Sequence, residues 1–144
     1  MRVKALEHRF VEYIPATLEQ GVVYISTSFA TVVHLCACGC GTKVVTPLSP
    51  AEWTVSFDGE SISLSPSIGS WQFPCRSHYW IRRNTIQWAA VWTQEEADAA
   101  QRRDAADLDR YFARTTQEPQ AASASTAPPA ESLLRRIWRT LTRR

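Results

Sequence analysis

Alternation of apolar and polar residues dominates the first 92 positions of the chain. In the clearest unit, residues 53–65, every second residue is apolar on both sides of the dipeptide Asp58-Gly59. This dipeptide tolerates the positive φ angles of a two-residue hairpin turn. One face of the predicted hairpin is apolar and the other carries small polar side chains, so we expect one face to pack and the other to meet solvent.

Other segments of this region are rich in β-branched and aromatic residues and predict further strands. These segments are 21–27, 31–35 and 43–46, and a second hairpin is expected from 77–81 and 85–91 with its turn at Arg82, Arg83 and Asn84. Short connections between consecutive strands favour antiparallel pairing. The predicted fold class is mainly β (α+β): a small antiparallel β domain, a helix and a tethered C-terminal amphipathic helix.

The remaining residues change composition twice. Thr93 and Glu96 fit a capping box, which predicts a surface helix over 93–114. Residues 115–130 are mostly Pro, Ala, Ser, Thr and Gln, a composition typical of a disordered linker. The predicted organisation is therefore a β-rich domain over 1–92, the helix over 93–114, the linker over 115–130 and a basic amphipathic helix over 131–144.

Charge separates this last segment from the rest. It holds five arginines and one glutamate, a net +4, which leaves −2 for the remainder of a chain whose net charge is +2. The mildly acidic remainder argues against a nucleic-acid-binding domain. The apolar face and arginines of 131–144 fit docking on a partner protein, contact with a membrane surface, or a poorly ordered tail.

Length and composition indicate an ordinary globular protein. The chain has 144 residues, 44% of them hydrophobic and 21% charged, which is one-domain length. It contains no run of 18 apolar residues, and no apolar run follows Met1–Lys4, so neither a transmembrane helix nor a secretory signal is expected. A cytoplasmic location is predicted.

Cysteines form the most informative cluster. Cys36, Cys38 and Cys40 alternate with small residues, and Cys75 and His78 follow as a second pair with two residues between them. Three cysteines this close suit a metal knuckle better than disulfides in a reducing cytosol. Thiolates with an imidazole favour Zn²⁺ over magnesium or calcium.

The five candidate ligands exceed the four positions of a tetrahedral zinc site. The preferred set is either Cys36 or Cys38 together with Cys40, Cys75 and His78, and the fifth group is spare. His34 is a sixth candidate. A structural zinc and a catalytic zinc both remain open, and so does the packing of the cysteines as small apolar side chains.

Hydrolytic chemistry has two candidate schemes, and the catalytic residues stay unknown. A zinc peptidase needs a carboxylate base, but the chain has no His-Glu-x-x-His motif, and Glu52 is one of few acids in the β region. A serine mechanism would use Ser67 or Ser77 with His78 or His34 as base. Ser67 is expected at a turn, where a structural role competes with a catalytic one.

Arginines and tryptophans near the second cysteine have two interpretations each. Arg76, Arg82 and Arg83 form either a solvated face or a site for an acidic partner or carboxylate tail. Four tryptophans are expected mainly to pack, with the rest lining a protein-binding groove: Trp71, Trp80, Trp88 and Trp92.

Several of these motifs together resemble the family called domain of unknown function 6527 (DUF6527). They are the run 34–41, Trp53, the run 63–69 and the run 75–81, and the resemblance covers about residues 20–90. It implies a small zinc-binding bacterial protein, often encoded beside ubiquitin-like conjugation genes with E1-like and E2-like enzymes. That context implies attaching, removing or processing a ubiquitin-like tag, with a peptidase as one candidate activity.

Two functional hypotheses follow. The first is a zinc-dependent hydrolase or peptidase in a bacterial ubiquitin-like pathway. The second is a non-catalytic structural zinc module for protein–protein interaction. The expected partners are a ubiquitin-like protein or its E1/E2-like enzymes, and the C-terminal helix is expected to contact a partner or a membrane surface. No nucleic acid is expected.

Overall fold

The computed structural model describes residues 1–90 and 92–122, with side chains as far as residue 116. This part of the chain contains eight β-strands and one α-helix. They are β1 (Glu7–Phe10), β2 (Val22–Ser26), β3 (Thr31–Leu35), β4 (Lys43–Pro47), β5 (Thr54–Phe57), β6 (Ile62–Gly69), β7 (His78–Arg82), β8 (Thr85–Trp88) and α1 (Gln94–Ala122).

The strands form two four-stranded sheets in chain order, β1-β2-β3-β4 and β5-β6-β7-β8. Every neighbouring pair is antiparallel except β1 and β2, which are parallel. The sequence pattern predicted neither β1 nor a parallel pair. Residues 11–21 return the chain to the start of β2, and the beginning of this connection is bonded to the end of β2, where Ser26 Oγ donates to the Glu12 carbonyl over 2.6 Å. All five residues of β2 are buried.

One hydrophobic core joins the two sheets. Ile25 and Val32 from the first sheet and Leu64 and Ile81 from the second belong to the same buried cluster. A polar contact also crosses this core, because His34 Nε2 of β3 lies 2.8 Å from the Tyr79 hydroxyl of β7. The predicted mainly β, α+β class is confirmed.

The β5–β6 hairpin is present, but its turn is longer than predicted. Phe57 pairs with Ile62, so residues 58–61 connect the strands instead of Asp58-Gly59 alone. The Asp58 carboxylate accepts the backbone N–H groups of Glu60 and Ser61 at 3.0 and 2.7 Å. These bonds lower the Asp58 pKa to about 2. A side chain that satisfies two backbone donors stabilises the wider turn.

The β7–β8 hairpin turns where the sequence indicated. Arg83 and Asn84 both have positive φ, 46° and 60°, as a two-residue type I′ turn requires. The Asn84 side chain fixes this turn to its surroundings: Oδ1 accepts the Ile62 N–H at 2.9 Å, and Nδ2 lies 3.1 Å from His8 Nδ1. β8 ends at Trp88, earlier than the predicted limit of 91.

Helix α1 begins with the predicted capping box. The Thr93 N–H donates to Glu96 Oε2 at 2.8 Å, and the Glu96 N–H donates to Thr93 Oγ1 at 3.3 Å. The helix continues to Ala122, beyond the predicted end at 114 and into the segment expected as a linker. The rest of that linker and the predicted helix over 131–144 lie outside the described residues.

Two compact units divide the chain, residues 1–109 and 110–144. The first contains both sheets and the N-terminal half of α1. The described part of the second is the end of α1, where Thr116 Oγ1 donates to the Phe112 carbonyl at 2.7 Å. Within the described residues, no helix combines the length and apolar character that crossing a bilayer requires.

Candidate active site and thiolate cluster

An irregularity in strand β6 sets the position of Ser67. The pairing of β6 with β7 shifts register between Leu64 and Ile68. Ile68 points into the core and Ser67, the residue before it, is only half-buried, so Ser67 lies on the outer face of the sheet. The sequence predicted a turn here; instead, Ser67 belongs to a continuous strand whose bulge re-aims its side chain.

His78 begins the neighbouring strand and meets Ser67 across the sheet. The Ser67 Oγ and His78 Nε2 atoms are 2.9 Å apart. With the imidazole proton on Nδ1, the hydroxyl donates to Nε2. This is the geometry in which a neutral imidazole takes the proton of a nucleophilic serine.

Three indole rings enclose the His78 imidazole. Trp71 and Trp92 stack at 5.0 Å with an interplanar angle of 7°, and both meet the imidazole edge-on, with ring centroids 4.8 and 4.4 Å away. Trp80 lies on the third side at 5.5 Å. The His78 residue is only 5% exposed, so the rings shield it from water.

Gly69 makes room for one of these rings. A Cβ at this position would lie 2.3 Å from Nε1 of the Trp71 indole, which is closer than side-chain carbons approach other atoms. A residue without a side chain is therefore needed opposite Trp71. The Trp71 ring can lie against His78 only because Gly69 has no side chain.

Burial also sets the protonation state of His78. Loss of solvent disfavours the imidazolium and lowers the His78 pKa below its usual value, while a backbone interaction with Ala90 acts in the opposite direction. Nδ1 is buried without a hydrogen-bond partner of good geometry among the described residues. Burial therefore favours the neutral imidazole, which is the form that a general base needs.

The pair opens into a cleft of about 560 Å³ within the first unit. Trp53 and the Trp71 and Trp92 rings form apolar walls, and residues 100–108 of α1 line another side. Glu52 also borders the cleft, where its carboxylate accepts a hydrogen bond from Ser49 Oγ at 3.1 Å. The Ser67 hydroxyl thus borders a cleft with both apolar and polar walls.

The four cysteines meet at a second place. Their sulfur atoms all lie within 4.8 Å of one another, so the group can hold a metal ion. Three of these cysteines follow β3 of the first sheet, and Cys75 precedes β7 of the second. Cys36 Sγ is 3.4 Å from Cys38 Sγ and 4.0 Å from Cys75 Sγ. Tetrahedral bonds of ~2.3 Å to one ion imply sulfur separations of about 3.8 Å, so the spacing fits.

The most buried thiol of the cluster, Cys36, and the exposed one, Cys40, differ in acidity. Burial raises the pKa of Cys36 to about 12, whereas a hydrogen bond with Thr42 lowers the pKa of Cys40 to about 6. Cys40 Sγ lies 3.2 Å from Thr42 Oγ1 at the exposed edge of the group. A metal ion that binds all four sulfurs must therefore displace the proton of the buried Cys36 thiol.

Neither histidine considered as a ligand belongs to this group. His78 faces Ser67, and His34 faces Tyr79 in the core, where burial lowers the His34 pKa to about 4. The structure thus brings together Cys36, Cys38, Cys40 and Cys75 and separates His78 from them. Which atoms bind a metal stays a prediction.

The Ser67–His78 pair is one of the combinations that the sequence allowed, but the sequence alone does not single it out. Ser67 and Ser77 were both candidates, as were His78 and His34, because a bulge hides the pairing register of β6. The available signal was the alternate serines of one strand, Ser63, Ser65 and Ser67, followed by His78 on the next. The tryptophans were expected mainly to pack, and three of them surround His78.

A comparison with known protein families bears on this geometry. The family described as "Bacterial ubiquitination-like system serine protease (BubE)" matches residues 10–89, more than half of the chain. No curated protein and no solved structure matches the chain significantly. The matched range contains the cysteine cluster as well as Ser67 and His78. The chain therefore belongs to the BubE family of bacterial ubiquitination-like systems.

Proposed function

We propose that this protein is a serine protease that processes a ubiquitin-like protein, with Ser67 as nucleophile and His78 as general base. The observation that carries the proposal is the 2.9 Å contact between Ser67 Oγ and His78 Nε2 at the edge of an open cleft. The description of the family as serine proteases supports the same reaction class.

The chemistry is acyl transfer in two steps. Ser67 Oγ attacks the scissile carbonyl while its proton moves to His78 Nε2, and the imidazolium then gives that proton to the leaving amine. Loss of the amine leaves the substrate's acyl group bound to Ser67 Oγ as an ester. His78 Nε2 then takes a proton from a water molecule as the water attacks this ester. The bond to Ser67 Oγ breaks, and the proton returns from His78 to the serine oxygen. The three indoles keep the imidazole in place and exclude bulk water during both proton transfers.

In this proposal the four cysteines hold Zn²⁺ in a structural role. Soft thiolates select zinc, and four of them fill a tetrahedral shell, which leaves no position for a water molecule or substrate. A bound zinc ion would cross-link the two sheets through these cysteines, and hydrolysis is left to Ser67. This differs from the zinc-dependent hydrolase considered from the sequence.

The substrate we propose is a ubiquitin-like protein of the same bacterial system, cut at or near its C-terminus. The family's place in a ubiquitination-like system supports this class of partner. We expect the reaction in the cytoplasm, where zinc-binding thiols stay reduced.

The direct test is cleavage of a ubiquitin-like protein from the same system, extended at its C-terminus by a short tag. We expect the wild-type protein to release the tag, and Ser67→Ala to lower the rate at least about a thousandfold. Ser56→Ala is the matched control, because Ser56 is an exposed serine on β5. Equal rates for wild type and Ser67→Ala would exclude the serine mechanism.

A non-catalytic zinc module is the second candidate. The complete set of four sulfurs within 4.8 Å favours it, since a closed thiolate site is typical of structural zinc. In that case the cleft beside Ser67 would bind a partner without cutting it. Unaltered substrate that nevertheless co-purifies with the wild-type protein would support this function instead.

A further inference from the structure

The outer face of strand β7 continues beyond the candidate active site. His78, Trp80 and Arg82 alternate with the buried Tyr79 and Ile81, so these three side chains share the outer face. The His78 and Trp80 rings are 5.5 Å apart, and the Arg82 guanidinium lies 5.9 Å from the Trp80 ring. These three side chains therefore form a continuous row on the outer face, from the Ser67–His78 pair to Arg82.

A second cleft, of about 660 Å³, lies at the Arg82 end of this row. Its lining includes Trp80, Arg82 and Arg83, with hydroxyl groups from Ser63 and Thr85. Within the described residues, neither guanidinium forms an ion pair, although Arg83 lies near enough to Asp58 to lower that residue's pKa. Two cations thus face solvent beside an aromatic ring.

The position of these arginines is fixed by their backbone. Arg83 has a φ of 46°, which is uncommon for a residue with a side chain, and its N–H donates to Ser63 Oγ at 3.0 Å. The next residue, Asn84, is bonded to the start of β6. The two arginines therefore extend from a fixed backbone, which lowers the entropic cost of bringing both guanidinium groups to one carboxylate.

We propose that Arg82 and Arg83 form a carboxylate-binding subsite for the substrate, three to five residues from the scissile bond. The proposal rests on the serine protease function given above and adds the chemistry that the substrate must carry. The carboxylate belongs either to an acidic side chain or to the free C-terminus of the substrate.

The spacing follows from strand geometry. Arg82 follows His78 by four positions along β7, and a strand rises ~3.3 Å per residue, so the backbones of these two residues are about 13 Å apart. An extended peptide on the outer face of the sheet covers this distance in about four residues. Trp80 lies between the two ends and offers its ring to the intervening peptide residue.

The test uses a library of random decapeptides, supplied with free and with amidated C-termini, and maps the bonds that the full-length protein cuts by mass spectrometry. For the wild type we expect Asp and Glu to be enriched three to five residues from the cut. If the C-terminus is the source, cuts should instead need a free terminus at that distance.

The double variant Arg82→Gln/Arg83→Gln should lose this preference, with a three- to tenfold lower kcat/KM for the preferred peptides, as expected for exposed charge pairs. Arg102→Gln, at an exposed arginine of α1 outside both clefts, is the matched control and should keep it. Higher ionic strength should weaken the preference in the wild type.

A small fluorophosphonate separates this inference from the proposed function, because it reacts with an activated serine without reaching the arginines. Labelling of Ser67 at the same rate in wild type and double variant, together with loss of the acidic preference, supports the subsite. Labelling with no carboxylate preference, or with a preference that the double variant keeps, overturns it. Absence of labelling in the wild type overturns the serine protease itself.

Discussion

At the scale of single residues, His78 has an environment suited to a base. Burial lowers its pKa, and Ser67 is the hydrogen-bond partner of its Nε2 atom. The same imidazole would be a poor base if it were protonated at neutral pH. Its enclosure by Trp71, Trp80 and Trp92 therefore determines both its position and its charge.

The first prediction concerns the pH dependence of hydrolysis. Only neutral His78 accepts the serine proton, so kcat/KM should rise with pH and level off once pH exceeds the His78 pKa. Because burial lowers that pKa from 6.5, the midpoint of the acid limb should lie below pH 6.5. Initial rates between pH 5 and 8 measure it, with circular dichroism to confirm that the protein stays folded. A midpoint above pH 6.5 would contradict this assignment of the base.

At the scale of elements, strand β6 creates the site through its bulge and its last residue. The shifted register turns Ser67 to the outer face, and Gly69 leaves the space that the Trp71 ring occupies. Trp71 in turn stacks on Trp92. The space at Gly69 therefore helps to place both indole rings beside His78.

The second prediction follows from this close approach. Gly69→Ala should push the Trp71 ring away from His78 and lower kcat by about tenfold or more, since small displacements of catalytic groups are costly. It should also cost about 1–3 kcal/mol of unfolding free energy as an overpacked site. Steady-state kinetics and urea denaturation measure the two effects.

Gly59→Ala serves as the control for that variant. Gly59 has a φ of +100° and open space where a Cβ would be, so alanine should lower stability through backbone strain and leave kcat unchanged. Equal kinetics for Gly69→Ala and wild type would mean that Trp71 does not position His78.

The elements themselves were largely predictable, and the site was predictable only in part. Period-two alternation located β5 and the start of β6, β-forming residues on either side of a turn located the β7–β8 hairpin, and the capping box located the start of α1. β1 was not predicted, because its four residues show no clear alternation of apolar and polar side chains. The pairing of Ser67 with His78 depends on a bulge, and the turn at Asp58 depends on side-chain bonds, which periodicity does not encode.

At the scale of the whole molecule, the thiolate cluster connects the two sheets. Its first three cysteines belong to the loop after β3, and Cys75 lies just before β7, three residues from His78. A metal ion bound there would hold the start of β7, and with it the base, against the first sheet.

The third prediction is that metal binding and catalysis depend on different residues. Cys75→Ser should lose the bound zinc and much of its thermal stability, because metal binding contributes directly to folding free energy. His78→Ala should keep one zinc per chain yet lose hydrolysis, and its loss of thermal stability should be smaller than that of Cys75→Ser, because it leaves a cavity among the indoles but no unfilled metal site. Metal analysis and thermal melts of both variants measure this, with zinc added back to chelated wild type as the control. Loss of zinc from His78→Ala would make His78 a ligand rather than a base.

The most direct test of the central claim is the mass of the protein after treatment with a fluorophosphonate. We expect one adduct per wild-type chain, located on Ser67 by peptide mapping, and no adduct on Ser67→Ala. Labelling should also fall sharply in His78→Ala, because the hydroxyl loses its base. A folded, metal-loaded wild-type protein that stays unlabelled, or that is labelled at another serine, would contradict the claim that Ser67 and His78 form the active site.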